Sequence, residues 1–441
     1  MTIARKKELF MLLIGDIALF AVSLWLALFI RYQEIPNEEL FNLHMAPFSI
    51  LFAFSVAVFY IAGLYGKHTL LFKRNLPSII FNAQVANAFI ALIIFYIIPY
   101  FNIAPKRNLL IYLVISSVLV YYWRVAVFPR LGFRKRENAI LIGSGDEMRE
   151  LKEEVNNNPR YNIYFKLAID LNETKSADFS NEILGAVRRE NIRSIIIDLK
   201  HEQIEPILPK LYNLIFSHIR FIDKYKVYED IFDRVPVSLL NYSWFLENAS
   251  SSSRFGYDVL KRIMDTIISV ILGIVSLALY PLVYIIIKLD DGGSIFYVQK
   301  RVGMNNKVIK LIKFRTMSSD GKEKVTRVGN FLRRSHIDEL PQLWNIFKGD
   351  ISVVGPRPEI PELVKRYEDE IPYYNVRHLI KPGLSGWAQI HQKTPPKFGI
   401  ARNKTKVKLS YDLYYIKNRS LLLDIKIAVQ TLKALLSGSG V

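Results

Sequence analysis

The 441-residue sequence contains no cysteine. This absence excludes disulfide bonds, catalysis by a thiol and zinc sites built from thiolates, and it does not indicate a cellular compartment. Acidic residues are outnumbered by basic ones, 40 to 59, which gives a net charge of +19. Because 51% of the residues are also hydrophobic, the composition indicates membrane segments with basic flanks or a partner that carries phosphates. The length predicts two or three domains.

Long apolar runs dominate the first third of the chain. We predict four transmembrane helices, since each run approaches the roughly 20 residues that cross a bilayer as a helix; they lie at 9–30, 46–64, 79–103 and 109–128. The first run is interpreted as a retained helix rather than a signal peptide, because it is too long and further spans follow it. Together they form a predicted four-helix transmembrane domain at 1–130.

Charge in the loops predicts the orientation of this domain. Residues 5–7 and the segments GKHTLLFKRN and RLGFRKRE are basic, whereas the loop QEIPNEEL has no Lys or Arg. Both ends of the domain are therefore expected to face the cytoplasm, although Lys106 and Arg107 lie on the other side. Asp16 falls inside the first span, where a carboxylate is a candidate functional group. We favour the interpretation that Asp16 packs in the bundle or lies near the membrane interface.

Residues 137–245 are predicted to form a Rossmann-like α/β domain. ENAILIGSGDEMREL reads as a strand, a glycine turn and a helix, and RSIIIDLK reads as a second buried strand of a parallel sheet. The turn at 143–145 has only two glycines, and Asp146 and Glu147 would repel a pyrophosphate there. We favour a turn that binds nothing over a dinucleotide site. The Ser-rich stretch at 246–256 is predicted to be a linker.

A fifth apolar stretch, at about 263–287, is long enough to cross the membrane. Basic segments flank it on both sides, which indicates that both flanks face the cytoplasm. Pro281 removes a backbone donor and favours a break in the helix. We therefore favour a re-entrant helix that returns to the cytoplasmic face, and a plain fifth span is the alternative. The final segment, YDLYYIKNRSLLLDIKIAVQTLKALL, is expected to lie at the membrane interface or to pack in the core.

An acidic pair, Asp338 and Glu339, stands just before Pro341 in SHIDELPQLWNIFKGD. Proline favours the first turn of a helix, and Lys348 with Gly349 reads as the end of that helix. Negative charge is well placed at a helix start. The simplest interpretation is therefore that both acids belong to a helix start.

Basic residues surround this pair in the sequence and favour a second interpretation. They are Arg301, Lys310, Lys313, Arg315, Arg333, Arg334 and Arg357, and two prolines flank the last of them. Guanidinium groups match phosphates well, and Mg²⁺ binds through one or two carboxylates together with substrate phosphates. The segment therefore suggests phosphoryl chemistry, with a carboxylate as nucleophile or metal ligand.

The chain at 257–441 resembles the bacterial sugar transferases, which are polyprenyl-phosphate sugar-1-phosphate transferases of the monotopic phosphoglycosyl transferase type. The matching stretches, in order, are KRIMD, the apolar helix with its proline, KLDDGGSIFYVQKRVG, KLIKFRTM, LRRSHIDELPQLWNIFKGDISVVGPRPE, KPGLSGWAQI and YDLYYIKNRSLLLDIKI. The resemblance implies a C-terminal α/β catalytic domain with a re-entrant membrane helix broken at Pro281. Two departures are Tyr280, where the family commonly has Ser, and the turn at 291–294.

The resemblance also implies a reaction. A UDP-sugar, with glucose or galactose expected as the sugar, would give its sugar-1-phosphate to undecaprenyl phosphate and release UMP, which starts a polysaccharide repeat unit for exopolysaccharide, O-antigen or capsule. Asp338 would be the nucleophile and Glu339 would help to hold Mg²⁺. Substrate-binding residues would be Arg333, Arg357, Arg315, Lys313, Arg301 and, at the lipid phosphate, Asp412. The expected location is the bacterial inner membrane, with the soluble domains on its cytoplasmic face and in contact with anionic lipids.

Other functions stay open on the sequence alone. One is direct transfer, with the acidic pair only as metal ligands, and another is a non-catalytic scaffold for polysaccharide assembly. Binding of nucleic acid is not expected, because the excess charge is spread over membrane flanks and the acidic-pair region. A homodimer through the bundle or the middle domain is a further open alternative.

Overall fold

A computed structural model describes residues 6–65, 76–97, 105–130, 136–158, 161–173, 179–199, 201–240, 242–248, 255–318, 324–392 and 402–436. The chain divides into two compact units, Met1–Asp230 and Ile231–Val441. The predicted basic loop at 66–75 and part of RLGFRKRE lie outside the described residues, as do 98–103 of the third predicted span and most of the predicted linker.

The first unit begins with four helices, α1 (Lys6–Tyr32), α2 (Glu38–Ile61), α3 (Leu76–Ile97) and α4 (Pro105–Tyr122). Within the described residues, four stretches are long and apolar enough to cross a membrane, at Leu9–Tyr32, Glu38–Tyr60, Leu76–Phe95 and Asn108–Val127. The predicted number of spans is confirmed, and the chain is a membrane protein. The second helix begins eight residues earlier than predicted, because the Asn37 side chain accepts a hydrogen bond from Leu40 N at 2.8 Å and caps it.

Asp16 lies inside this bundle and is fully buried. Its carboxylate forms an ion pair with Arg124, and Tyr65 donates its hydroxyl to the same group at 2.6 Å. Arg124 also donates to Leu64 O at 2.8 Å, so its charge is both paired and hydrogen-bonded. Since each partner of Asp16 belongs to the first unit, the packing interpretation of Asp16 agrees with the structure.

The rest of the first unit alternates strands and helices. They are β1 (Glu137–Gly143), α5 (Asp146–Asn157), β2 (Ile163–Asp170), α6 (Phe179–Arg189), β3 (Ile192–Ile197), α7 (Leu208–Tyr212), β4 (Arg220–Asp223) and α8 (Lys224–Phe232), which ends just inside the second unit. The sheet is parallel with the order β2-β1-β3-β4. The predicted parallel α/β architecture is confirmed. This order follows the flavodoxin-like doubly wound sheet, and the Rossmann-like assignment stays a prediction.

The glycine turn after β1 lies beside a buried ion pair. Gly145 has a φ of +82°, which favours glycine. A Cβ at Gly143 would lie 2.7 Å from the Lys224 side chain, whose Nζ is 2.9 Å from Asp198. In sheets of this type ligands bind at the carboxyl ends of the strands where the order reverses. Lys224 lies at that position between β1 and β3, and the interpretation of the turn as one that binds nothing stays a prediction.

The second unit contains a broken apolar helix. After α9 (Tyr242–Asn248) come α10 (Phe255–Leu277) and α11 (Tyr280–Asp291), which are bent by 56° at the break. Pro281 lies in the first turn of α11, where its missing N–H costs no hydrogen bond. The helix therefore breaks just before the predicted proline. Whether the pair crosses the membrane or re-enters it stays a prediction.

The remaining elements of the second unit surround two small sheets. They are β5 (Phe296–Val302), β6 (Val308–Phe314), α12 (Arg327–Arg334), α13 (Gln342–Lys348), β7 (Ser352–Val354), α14 (Pro361–Glu370), β8 (Gly383–Ser385), α15 (Trp387–His391), α16 (Arg402–Asn418) and α17 (Leu421–Leu436). β5 and β6 are antiparallel, and β7 pairs with β8 in parallel. In the C-terminal segment α16 packs in the core, whereas α17 has exposed leucines at 422, 432 and 435.

Candidate active site

The acidic pair lies in a short 3-10 turn, Ile337–Glu339, between α12 and α13. His336 has a φ of +56°, so the chain reverses sharply after α12. Pro341 then stands immediately before α13, which ends at Lys348 with Gly349 in the left-handed conformation, as predicted. The acids therefore precede α13 by a full turn instead of forming its N-cap. Tertiary packing leaves Asp338 only 7% exposed.

Two cations hold the Glu339 carboxylate. Its Oε1 atom lies 2.7 Å from Lys313 Nζ and 3.2 Å from Arg357 Nη2. Lys313 comes from β6, and Arg357 comes from the turn between two prolines. Burial alone would raise the pKa of Glu339, but Arg357 and Lys313 together lower that pKa to about 2. Glu339 is therefore ionised and neutralised by its neighbours at neutral pH.

Asp338 differs from Glu339 in its surroundings. Among the residues that the structure describes, none forms an ion pair with its carboxylate. Burial and the neighbouring negative charge of Glu339 raise the pKa of Asp338, and Lys313, His336 and Arg333 act in the opposite direction. A more basic carboxylate that is not bound to a cation is suited to attack on an electrophile. The two acids therefore have different chemical characters although they are adjacent.

The other predicted arginines make local contacts and no ion pair with either acid among the described residues. Arg333 donates its Nε to Thr316 Oγ1 at 2.8 Å. Arg315 donates to Met317 O and to Ser294 Oγ, each at 3.0 Å, so it fastens the end of the hairpin. Arg301 donates to Gln299 Oε1 at 2.7 Å and to Pro358 O at 3.4 Å. The structure thus joins Lys313 and Arg357 directly to the acidic pair, and their roles toward a substrate stay predictions.

Asp412 lies away from the surface of the site. It is 1% exposed, and its Oδ2 is 2.8 Å from Nη2 of Arg377, which is equally buried. Arg377, Glu359 and Lys408 complete a buried charge cluster with Asp412. Arg377, Glu359 and Lys408 are not among the site residues that the sequence predicts. Nothing in the local pattern around them distinguishes a buried charge from a solvated one.

The residues around the acidic pair can be compared with those that Mg²⁺ binding requires. Among the described residues, no group of three His, Asp or Glu side chains converges on one point. Asp338 and Glu339 supply the oxygen ligands that Mg²⁺ prefers, but Oε1 of Glu339 already contacts Lys313 and Arg357. Mg²⁺ usually completes its shell with substrate phosphates and water. The residues therefore fit an ion shared with a diphosphate, and they do not form a complete protein cage.

The C-terminal part of the chain matches a known family. The bacterial sugar transferase family matches residues 256–438, which include the acidic pair and the broken helix. Exopolysaccharide production protein PSS of Rhizobium leguminosarum bv. phaseoli is 36% identical, and the match covers 93% of that protein and 39% of this chain. The chain belongs to the bacterial sugar transferase family.

Two longer relatives are named for specific reactions. UDP-N-acetylgalactosamine-undecaprenyl-phosphate N-acetylgalactosaminephosphotransferase of Aeromonas hydrophila is 34% identical over 58% of this chain and 61% of its own length. UDP-glucose:undecaprenyl-phosphate glucose-1-phosphate transferase of Xanthomonas campestris pv. campestris is 37% identical over 39% of this chain and 38% of its own length. The chain therefore matches less than two thirds of the length of either protein.

Proposed function

We propose that the protein transfers a sugar-1-phosphate from a UDP-sugar to undecaprenyl phosphate, releases UMP and thereby starts assembly of a polysaccharide repeat unit. The division of the acidic pair is the observation that carries this proposal. Glu339 is neutralised by Lys313 and Arg357, whereas Asp338 has no ion-pair partner among the described residues. The reactions for which the Aeromonas and Xanthomonas relatives are named support the same chemistry.

In the first step, an oxygen of the Asp338 carboxylate attacks the β-phosphorus of the UDP-sugar. The bond between that phosphorus and the bridging oxygen breaks, and the oxygen leaves with UMP and the electron pair. The sugar phosphate stays on Asp338 as an acyl phosphate. The raised pKa of Asp338 favours this attack because a more basic carboxylate is a better nucleophile.

In the second step, a phosphate oxygen of undecaprenyl phosphate attacks the same phosphorus. The bond from phosphorus to the Asp338 oxygen breaks, which regenerates the carboxylate and releases a polyprenyl diphosphate sugar. A covalent intermediate suits these substrates because one is soluble and the other stays in the membrane. The two substrates then need not occupy the site together.

Basic groups stabilise the phosphates in both steps. Arg357 and Lys313 both donate to Glu339, the residue next to the one that would carry the phosphoryl group. Positive groups placed where negative charge develops lower the barrier. A bound Mg²⁺ would neutralise further charge on the diphosphate, and Glu339 would help to hold it.

We also propose that α10 and α11 enter the inner leaflet and return to the cytoplasmic face. Their 56° break and exposed apolar side chains support this arrangement. Basic segments on both sides of the pair would contact anionic lipid headgroups. This arrangement would place the acidic pair at the membrane surface, where a lipid-linked acceptor and a soluble donor meet.

The decisive experiment measures UMP release by the full-length protein across a panel of UDP-sugars, with Asp338→Asn as the control. We expect a hexose donor, glucose or galactose, and the panel includes N-acetylgalactosamine because of the Aeromonas relative. With donor and no lipid, the wild type should release one equivalent of UMP and carry a phosphosugar on Asp338. A protein that releases no UMP and carries no label without lipid, but turns over once undecaprenyl phosphate is added, would indicate direct transfer. Normal polysaccharide output from an Asp338→Asn strain would indicate a scaffold.

A further inference from the structure

The turn that carries Arg357 is fixed through each of its four carbonyl oxygens. Pro356 O accepts from Gly383 N at 3.0 Å, and Glu359 O accepts from Val302 N at 2.9 Å. The two central carbonyls accept from side chains, Arg357 O from Arg377 Nη2 at 2.9 Å and Pro358 O from Arg301 Nη1 at 3.4 Å. The two prolines also fix φ. The backbone of Arg357 therefore has little freedom, and its guanidinium is held toward Glu339.

Arg377 makes the hydrogen bond to the Arg357 carbonyl from the interior. It is 1% exposed and also donates to Tyr374 OH at 2.6 Å. A buried guanidinium is costly unless it is paired and hydrogen-bonded. Asp412 supplies the nearest opposite charge at 2.8 Å, and Glu359 supplies a second at 3.8 Å. Arg377 thus keeps its orientation because Asp412 and Glu359 neutralise its positive charge.

Asp412 has no route to a substrate in this arrangement. It is 1% exposed, and its only recorded ion pair within the described chain is with Arg377. Burial raises the pKa of Asp412, and Arg377 opposes that effect, so its negative charge depends on this pair. A residue that activated the lipid phosphate would have to reach the solvent side of the site, where the exposed side chain of Arg357 lies.

We propose that Asp412 and Arg377 form a buried charge pair that positions Arg357 over the acidic pair, so that Asp412 is a positioning residue and does not touch the lipid phosphate. This inference rests on the proposed function for its effect on catalysis. Loss of the Asp412 charge would let Arg377 turn away from the Arg357 carbonyl. The turn would loosen, and Arg357 would bind the donor diphosphate less well.

The first test separates the two steps in the Asp412→Asn variant. Without lipid, we expect a slower UMP burst and a KM for the UDP-sugar raised about tenfold to a hundredfold, the size of one charge-assisted hydrogen bond. Arg357→Gln should give a similar change, and the double variant should be little worse than either single one. A burst at the wild-type rate followed by failed discharge to undecaprenyl phosphate would overturn the proposal, as would additive effects of the two substitutions.

A second test does not depend on activity. Amide exchange at Val302 and Gly383, whose N–H groups bind the turn, should be faster in Asp412→Asn than in the wild type. Asp424→Asn is the matched control, because Asp424 is equally buried but contacts Tyr257, Lys261 and Tyr415 instead. Equal exchange in Asp412→Asn and Asp424→Asn would overturn the inference. A wild type that releases no UMP from any donor would contradict only the proposed function.

Discussion

Lys313 Nζ lies 2.7 Å from Oε1 of Glu339, and this contact distinguishes two adjacent acids. Lys313 and Arg357 together neutralise the Glu339 carboxylate and lower its pKa to about 2. Asp338 keeps a raised pKa beside the same groups. One turn of chain therefore presents a neutralised carboxylate and a more basic one, which is the arrangement a two-step transfer needs.

Substitution of the two acids should have different consequences. Asp338→Asn removes the nucleophile, so UMP release and covalent labelling should fall by about a thousandfold or more. Glu339→Gln should slow the reaction but leave labelling of Asp338 detectable, because the nucleophile remains. Single-turnover assays with a radiolabelled UDP-sugar measure both the release of UMP and the covalent labelling of the protein. Asp369→Asn, an exposed acid on α14, is the control, and equal loss of labelling in both acid variants would contradict the division of roles.

Lys313 should contribute through its position rather than through charge alone. Lys313→Met removes the 2.7 Å contact and leaves Glu339 with Arg357 as its remaining ion-pair partner in the described chain. We expect kcat/KM to fall about tenfold to a hundredfold, the size of one charge-assisted hydrogen bond. Lys310→Met, an exposed position on the same strand, should leave kcat/KM nearly unchanged. Equal effects at 313 and 310 would show that only the net charge of the strand matters.

The sequence predicted the features that follow from local pattern. Apolar length located the four spans, and the proline before α13 with Gly349 after it located that helix. Strand and turn patterns likewise located the parallel sheet. Each of these features depends on residues that are close in the chain.

The buried charge cluster could not be predicted in this way. Arg377 and Asp412 are 35 positions apart, and each resembles a surface residue in its own segment. Arg377 lies in the 3-10 turn Tyr374–Leu379, and only the packing of α16 against that turn brings the two residues to 2.8 Å. For the same reason the sequence contains no sign that Asp412 is buried against Arg377, and its predicted role at the lipid phosphate stays a prediction.

Glu359 should give the C-terminal unit a pH-dependent stability. Burial alone would raise the pKa of Glu359. Lys408 and Arg377 outweigh that effect and lower this pKa from 4.5 to about 2. A carboxyl with a depressed folded-state pKa stabilises fully above its unfolded pKa, and its contribution disappears as the pH falls through the folded pKa. Glu359→Gln should therefore cost about 3 kcal/mol near neutral pH. That difference should shrink between pH 4.5 and pH 2.

Thermal unfolding in detergent across this pH range measures the effect. Glu362→Gln, an exposed acid in the first turn of α14, is the matched control and should follow the wild type at each pH. If the stability difference between Glu359→Gln and the wild type stayed constant down to pH 2, it would contradict the depressed pKa of Glu359.

The ion pair of Asp16 and Arg124 should stabilise the bundle as a unit. Removal of one partner leaves the other charge buried, which costs about 3–5 kcal/mol. Asp16→Asn and Arg124→Met should each lower the melting temperature strongly. The melting temperature of the double variant should fall by less than the sum of the two single effects. Ser117→Ala, which removes only a hydroxyl bonded to Leu113 O, is the control. Additive losses would show that the two charges do not depend on each other.

The absence of cysteine allows a direct test of the broken helix. Single cysteines at Asp258 and Asp290, exposed positions toward the two ends of the α10–α11 pair, can be labelled with a membrane-impermeant maleimide in right-side-out and inside-out vesicles. A re-entrant pair returns to its own face, so both positions should react from the cytoplasmic side. A cysteine at Glu34, between α1 and α2, should react from the opposite side and serves as the control. Labelling of 258 and 290 from opposite sides would instead establish a fifth span, and it would place one flank of α10–α11 outside the cell, away from the soluble UDP-sugar.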